Sequence, residues 1–321
     1  MFDQGRKEAV SFAGSYSTLS ASIAAGNSHG VRRWAPLTSS DFVVIAVSGD
    51  VSGFATRMSR VDGEIDPLAL GAEATSKALL HKNARIEIEN GPYDVILEPP
   101  ALAEIFEWMN MIAFSGQSFE EGSSFFVDHI GKAVLGSNFT LVDDPTDPSF
   151  LPFPFDGEGA ARRRNPLVDA GVIRGPVLDQ IMADRLGMQP TGNASTPGSD
   201  EHGIALHLSL EAGDKTRAQL IESTERGIWV TRFHYLNGLI EPRTAMMTGM
   251  TRDGTFLIEN GRVTRRLPNL RWTQSMVDAF SNIEGLTSER RVVGTWWNLF
   301  GGTITPTVKI RAWNVTGVQR K

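Results

Sequence analysis

Cysteine is absent from all 321 residues. That excludes disulfides, thiolate metal ligands and a cysteine nucleophile, and it accords with a reducing, cytoplasmic setting. Positive charge is also in short supply. Against 37 Asp and Glu stand 31 Lys and Arg, a net charge of −6, which argues against a broad basic face for nucleic acid. No run approaches the roughly 20 apolar residues of a membrane span. The opening "MFDQGRKEAVSFAGS" lacks the apolar centre of a signal peptide. Three Asn-x-Ser/Thr sequons, at Asn138, Asn193 and Asn314, are then read as coincidence. Neither a Walker loop nor a complete G-x-G-x-x-G occurs. What remains is an ordinary globular composition, 41% hydrophobic and 21% charged, with length enough for two domains and a substantial core.

The patterning predicts an α+β fold. In the first segment, Phe42 to Val47 reads as a strand. Asp66 caps a helix that has Pro67 at its first position, with Leu68, Ala72, Thr75 and Leu79 as its buried stripe. At Arg85 the texture changes, and the domain boundary is placed there: residues 1–85 as a partial α/β domain, residues 86–321 as a larger β-rich domain with packed helices. Asn90-Gly91 and Asn260-Gly261, each in an "IENG" string, predict two hairpins, because both residue types tolerate positive φ. Further helices are expected at "GPVLDQIMADRLGM", closed by Gly187, and at "DKTRAQLIESTERGI", with a Thr216/Gln219 capping box and Gly227 as terminator. A third, "TQSMVDAFSNIEGL", is expected to bury Thr273, Met276, Phe280 and Ile283. "GIALHLSL", "IWVTRFHYL" and "PTVKIRAWNV" are strands, and "GNASTPGSDEHG" is a long loop.

Four groups of residues invite a chemical reading. Gly26-Asn27-Ser28-His29-Gly30 matches the G-x-S-x-G nucleophile elbow, which needs a strand before it and a helix after it. Weak flanks and the nearby Pro36 favour a simple turn. His202 and His207, beside Asp200 and Glu201, are five apart, an odd spacing that puts them on opposite faces of a strand. A polar loop running into a strand explains them better than a metal site. Arg162, Arg163 and Arg164 could grip a phosphate or carboxylate, but a solvated turn or subunit contact is preferred. In "LAEIFEWMNMIAFSG", residues 102–116, Leu102, Ile105, Phe106, Met109 and Ala113 form a core stripe. Glu104 and Glu107 share a face of that helix. Without histidine nearby they read as a solvated edge.

The order of these segments resembles the TldD/PmbA (TldE) family, the so-called modulators of DNA gyrase. The resemblance rests on "NGPYDVILEPPALAEIFEWM", on "FDGEGAARRRNPLVDAGVIRGPVLDQIMADRLGMQPTGNA", on "ESTERGIWVTRFHYLNGLIEPRTAMMTGMTRDGTFLIENGRV" and on the closing "TPTVKIRAWNVTG". It runs from about Ser15 onward, and against the family the chain looks N-terminally shortened. Active members carry His-Glu-x-x-x-His on the helix and a cysteine near the C-terminus, which together hold Zn²⁺ with an open position for water. Laid on this chain, the motif falls on residues 106–111. Glu107 keeps the glutamate position, Phe106 and Met111 occupy the histidine positions, and the cysteine position falls at residues 292–294.

The resemblance therefore implies a helix emptied of its metal and refilled as core. It implies a non-catalytic TldE/PmbA-like subunit without a cofactor of its own, cytoplasmic, and paired with a TldD-type zinc peptidase acting on unfolded peptides. Residues 243–254 are the expected lining of the shared chamber, with Arg243, Met247, Arg252 and Asp253 as contacts to peptide or partner. The alternatives are an independent hydrolase, using unusual metal ligands or Ser28, and a homodimeric peptide-binding module.

Overall fold

A computed structural model describes residues 2–151, 153–195, 202–294 and 301–319. A short helix α1 (Phe2–Lys7) leads into three antiparallel strands, β1 (Ser11–Gly26), β2 (Arg32–Ser48) and β3 (Val51–Ser59), in the order β1-β2-β3. Helix α2 (Pro67–Leu79) lies on this sheet, with the Asp66 carboxylate accepting from the Leu68 and Ala69 N–H groups as the sequence predicts. Its buried stripe differs from expectation. Leu70, Gly71, Ala74, Thr75, Lys77 and Ala78 are inside, whereas Leu68 is exposed. Small residues win because the helix backbone sits directly on β3. A Cβ on Gly53 would lie 2.1 Å from the Ala74 carbonyl oxygen. All three strands are antiparallel, with α2 packed on one face of the sheet.

The remaining strands form one sheet. They are β4 (Gly91–Leu97), β5 (Leu141–Asp143), β6 (Asn165–Asp169), β7 (Val172–Ile173), β8 (His207–Leu210), β9 (Arg226–Glu241), β10 (Met246–Glu259), β11 (Arg262–Arg266), β12 (Leu270–Ser275), β13 (Ile283–Gly294) and β14 (Gly302–Val318). Their order is β11-β10-β9-β4-β14-β8-β5-β6-β7, with β12 pairing β10 and β14, and β13 pairing β14. Helices α3 (Pro99–Met109), α4 (Gly116–Glu120), α5 (Gln180–Leu186), α6 (Arg217–Glu222) and α7 (Met276–Ser281) connect or cover these strands. The expected hairpin at Asn260-Gly261 forms, both residues at positive φ, joining β10 to β11. At Asn90-Gly91 it does not: β4 pairs antiparallel with β14 and parallel with β9, and the Ile86 N–H donates to Arg266 on β11. The long strands offer β4 more backbone partners than its own neighbours can.

Local capping signals hold. Thr216 and Gln219 make a reciprocal capping box on α6, and Gly187 closes α5 at φ 64°. Two boundaries move: α6 ends at Glu222, leaving Gly227 to β9, and Thr273, expected in a helix, belongs to β12. The core contains all five stripe residues of α3, each at most 1% exposed. Phe106 packs against Phe139 and Phe280, with ring centroids 6.2 and 5.7 Å away.

The two sheets are joined by buried charge. Lys77 on α2 donates to the Phe54 carbonyl, to Glu73 at 2.7 Å and to Glu98 at 2.7 Å. Glu98, at the N-cap of α3, gives its other oxygen to Arg217 at 2.8 Å and to the Trp229 indole N–H at 3.1 Å. Glu73 takes both oxygens to Arg291 on β13. Burial alone would raise the Glu73 pKa, but Lys77 and Arg291 outweigh it and bring it down to about 2. Removing one partner of such a pair leaves a buried charge uncompensated. Lys77→Met should therefore lose about 3 kcal/mol in urea unfolding, and adding Glu98→Gln should recover part of it. An unchanged urea midpoint in the single variant would refute this role for the pair.

Candidate active-site cavities around Glu107

Helix α3 begins with Pro99 and Pro100, whose missing N–H groups cost nothing in a first turn. It ends in a wider π-type turn over Asn110–Phe114. Leu102, Ile105, Phe106 and Met109 turn to the core, which leaves Glu104, Glu107 and Trp108 on the opposite side, facing a cavity of about 690 Å³. The far wall comes from the first sheet, with Asp41, Val43, Phe54 and Thr56, and from Val293 and Gly294 on β13. Arg232 and His234 on β9 complete it. Glu104 and Glu107 are therefore not a solvated edge. They look into a half-open cavity that the approach of both sheets creates, with Asp41, Arg232 and His234 among its polar groups.

The environment shifts these groups. Burial raises the Glu104 carboxyl to about 7, against the opposing pull of Arg232. Burial likewise raises Asp41 to about 6. His234 is held below its usual pKa by burial and then by Arg252 and Arg232. Arg232 itself is anchored, its Nε donating to Asp253 at 2.7 Å and its guanidinium lying 4.3 Å from the Phe54 ring centroid. Tyr235, which also lines the cavity, is exposed and sits at φ 59° beside an irregularity in the β9–β10 register. A bulky residue in that region is strained, and such irregular strands cluster near functional sites.

A second, mainly apolar cavity of about 360 Å³ lies across Glu107, which lines both. Met111 stands at its wall, 51% exposed. The expectation that both histidine positions are refilled as core thus holds for Phe106 alone. Positions five apart on an α-helix are separated by about 140°, so Phe106 and Met111 point to different surroundings. The carried-over cysteine position does reach the polar cavity through Val293 and Gly294. The donor set does not fit zinc. One position is a core phenylalanine, the second a thioether turned to another cavity, and the chain has no cysteine. Among the described residues, no group of three or more His, Asp and Glu is placed to hold a metal ion.

The other candidates separate. Ser28 and His29 lie at the exposed tip between β1 and β2, a strand–turn–strand and not an elbow. His202 bonds to Asp179, while His207 is buried beside Phe150, its imidazole held down to about 4 by burial and then by Arg162. Asp200 and Glu201 lie outside the described residues, as does much of the loop that contains them. Arg162 is not on a solvated turn: it is buried, paired at 2.8 Å with Asp143, which also accepts from the Asn193 amide. Arg164 reaches Asp144 and Glu211 at the surface.

Of the expected chamber lining, Met247 is fully buried in the core. Asp253 is buried as well, tying Arg232 to Ser52 of β3, so it is a cross-link between sheets. Arg243 holds Asp128 and the carbonyls of Gly122 and Ser124, and Arg252 lies exposed on β10. None of the four lines either cavity. Alternation along β10 turns Met247 and Asp253 inward and Arg252 outward, and Arg243 precedes that strand. The residues that sequence reasoning missed are Asp41, Arg232, His234 and the walls of the apolar cavity. Their only sequence signal was placement on alternating strands.

Residues 90–317 match the family model described as PmbA/TldA metallopeptidase C-terminal domain. The chain belongs to the PmbA/TldD family. It is 25% identical over 267 residues to Metalloprotease PmbA of Escherichia coli O157:H7, covering 80% of this chain and 56% of the relative. To a metalloprotease of Methanothermobacter thermautotrophicus it is 23% identical over 204 residues, covering 63% and 44%. The fold matches that of TldE from Thermococcus kodakarensis with a TM-score of 0.85 at 22% identity, over 98% of this chain and 72% of that one. The chain spans about half the length of the curated relatives it matches.

A carboxyl group raised in the folded state makes folding less favourable once it must ionise. For Glu104 the loss should set in as pH rises from about 4.5 and be complete above about 7. Glu104→Gln should accordingly stabilise the protein at pH 8, by about 1–3 kcal/mol, and leave it unchanged near pH 4. Thermal unfolding across that range checks the sign. A variant less stable at pH 8 would contradict it.

Proposed function

We propose that this chain is a non-catalytic, TldE/PmbA-like subunit that completes a heterodimeric zinc peptidase acting on unfolded peptides in the cytoplasm. The observation that carries the reading is the make-up of the polar cavity. Glu107, Val293 and Gly294, which the family resemblance aligns with the motif's glutamate and cysteine positions, line this one cavity, and no imidazole or thiolate stands at the three ligand positions that the resemblance implies. A carboxylate at Glu107 without a metal beside it gains no activated water. The cavity walls nevertheless persist, and Tyr235, Leu239 and Ile240 give β9 an exposed apolar rim beside them. Such a rim suits contact with a partner subunit. No helix among the described residues is long and apolar enough to cross a membrane. The division near Arg85 is part of the same proposal: the first sheet closes the cavity, and the domain that follows supplies its floor.

Reconstitution tests the subunit role. The chain alone should cleave no unfolded peptide, and mixing it with a TldD-type protein from the same genome should give both a complex on sizing and activity. If the TldD-type protein cleaves equally well alone and no complex forms, the reading fails. Metal content is a separate check. After dialysis, elemental analysis should find well under one zinc per chain, and a tightly bound stoichiometric ion would favour the independent metallopeptidase.

A further inference from the structure

The apolar cavity across Glu107 takes Met111, one of the motif's histidine positions, into its wall, and the rest of its lining lies outside the motif's ligand positions. Its walls include Met111, Ile112, Ile204, Leu206, Leu208 and Leu239, all among the described residues. The wall before β8 is held by the side chains of Asn193, which donates to the Ile204 carbonyl at 3.0 Å, and of Asn110. Asn110 donates from its amide nitrogen to the Ala205 carbonyl at 2.7 Å and accepts the Ala205 N–H at 3.0 Å, as a neighbouring strand would. Asn110 is the first residue of the π-type turn, so the same helix end that presents Glu107 also sets the position of this wall.

At the mouth, Met111 and Leu239 are 51% and 61% exposed. Large apolar groups left in water beside an apolar hollow mark an opening and not a packing fault. The volume of about 360 Å³ is at the small end of ligand sites, which run from roughly 300 to 1,000 Å³. It suits one side chain and not a folded partner. Glu107 is shared with the polar cavity, so the backbone of a peptide crossing from one cavity to the other would pass over that carboxylate.

We propose that this cavity is a specificity pocket that receives one bulky apolar side chain, leucine, methionine or phenylalanine, of an extended peptide. The proposal rests on the peptide-binding reading above and adds a selectivity to it. Methionine at the mouth can adapt to each of the three shapes. Asn110 acts as a positioning residue by holding the wall, without a role in chemistry.

Fluorescein-labelled unstructured peptides, identical except for a central Gly, Ser, Leu, Met or Phe, provide the test. Fluorescence anisotropy is read on the full chain and on its complex with a TldD-type protein. The Leu, Met and Phe peptides should bind about tenfold more tightly than the Gly and Ser peptides, as burial of one such side chain allows. Leu239→Asp at the exposed mouth, and separately Ile204→Trp, should bring the Leu peptide to within about twofold of the Gly peptide. Each variant is judged on the full chain by the ratio of Leu-peptide to Gly-peptide affinity, and circular dichroism confirms that it is folded. Asn110→Ala should reproduce the loss of selectivity. Equal binding of all five peptides by the unaltered protein would overturn the pocket while leaving the peptide-binding reading intact. Variants that weaken all five alike would also overturn it. If no peptide binds to the chain or to the complex, the peptide-binding reading itself fails, and the pocket with it.

Discussion

The buried contact between Lys77 and Glu98 is the constraint on which the arrangement depends. It sets α2, carried by the first sheet, against the start of α3, carried by the second. Arg217, Trp229, Glu73 and Arg291 extend it to α6, β9 and β13. A lysine and a glutamate with side chains each only 4% exposed are costly to desolvate, and they persist because each donor and acceptor finds a partner. Unlike an apolar contact, this network is directional. It fixes the distance and angle at which the sheets meet.

That meeting creates the polar cavity. Asp41 and Phe54 belong to the first sheet, Glu104 and Glu107 to α3, and Arg232 to β9. A second cross-link reinforces it, since Asp253 binds both Arg232 and Ser52. Arg266 adds a third by donating to the carbonyls of Ser52 and Lys77. The raised carboxyl groups of Glu104 and Asp41 are a consequence: burial removes water from both, and for Glu104 it outweighs the opposing pull of Arg232.

The same helix serves packing and site by dividing its faces. On its inner face Phe106 completes an aromatic cluster with Phe139 and Phe280. Its outer face keeps carboxylates and a widened last turn.

Local signals were legible in the sequence because their physics is local. Asp66 before Pro67, the Thr216/Gln219 box, Gly187 after α5 and Asn260-Gly261 each satisfy backbone groups within a few residues, and each forms as read. The α3 stripe was legible for the same reason, since one periodicity decides which face is inside. Tertiary structure decided what depends on distant partners. The Asn90-Gly91 signal lost to β14 and β9, because β4 satisfies more backbone groups between two long strands than in a hairpin. Leu68 lost the buried face of α2 to small residues that permit close approach to β3. Asp41 and Glu104 stand 63 positions apart in sequence, by subtraction of their numbers, and no spacing rule connects them. Only the packing of two sheets on a buried ion pair brings them to one cavity.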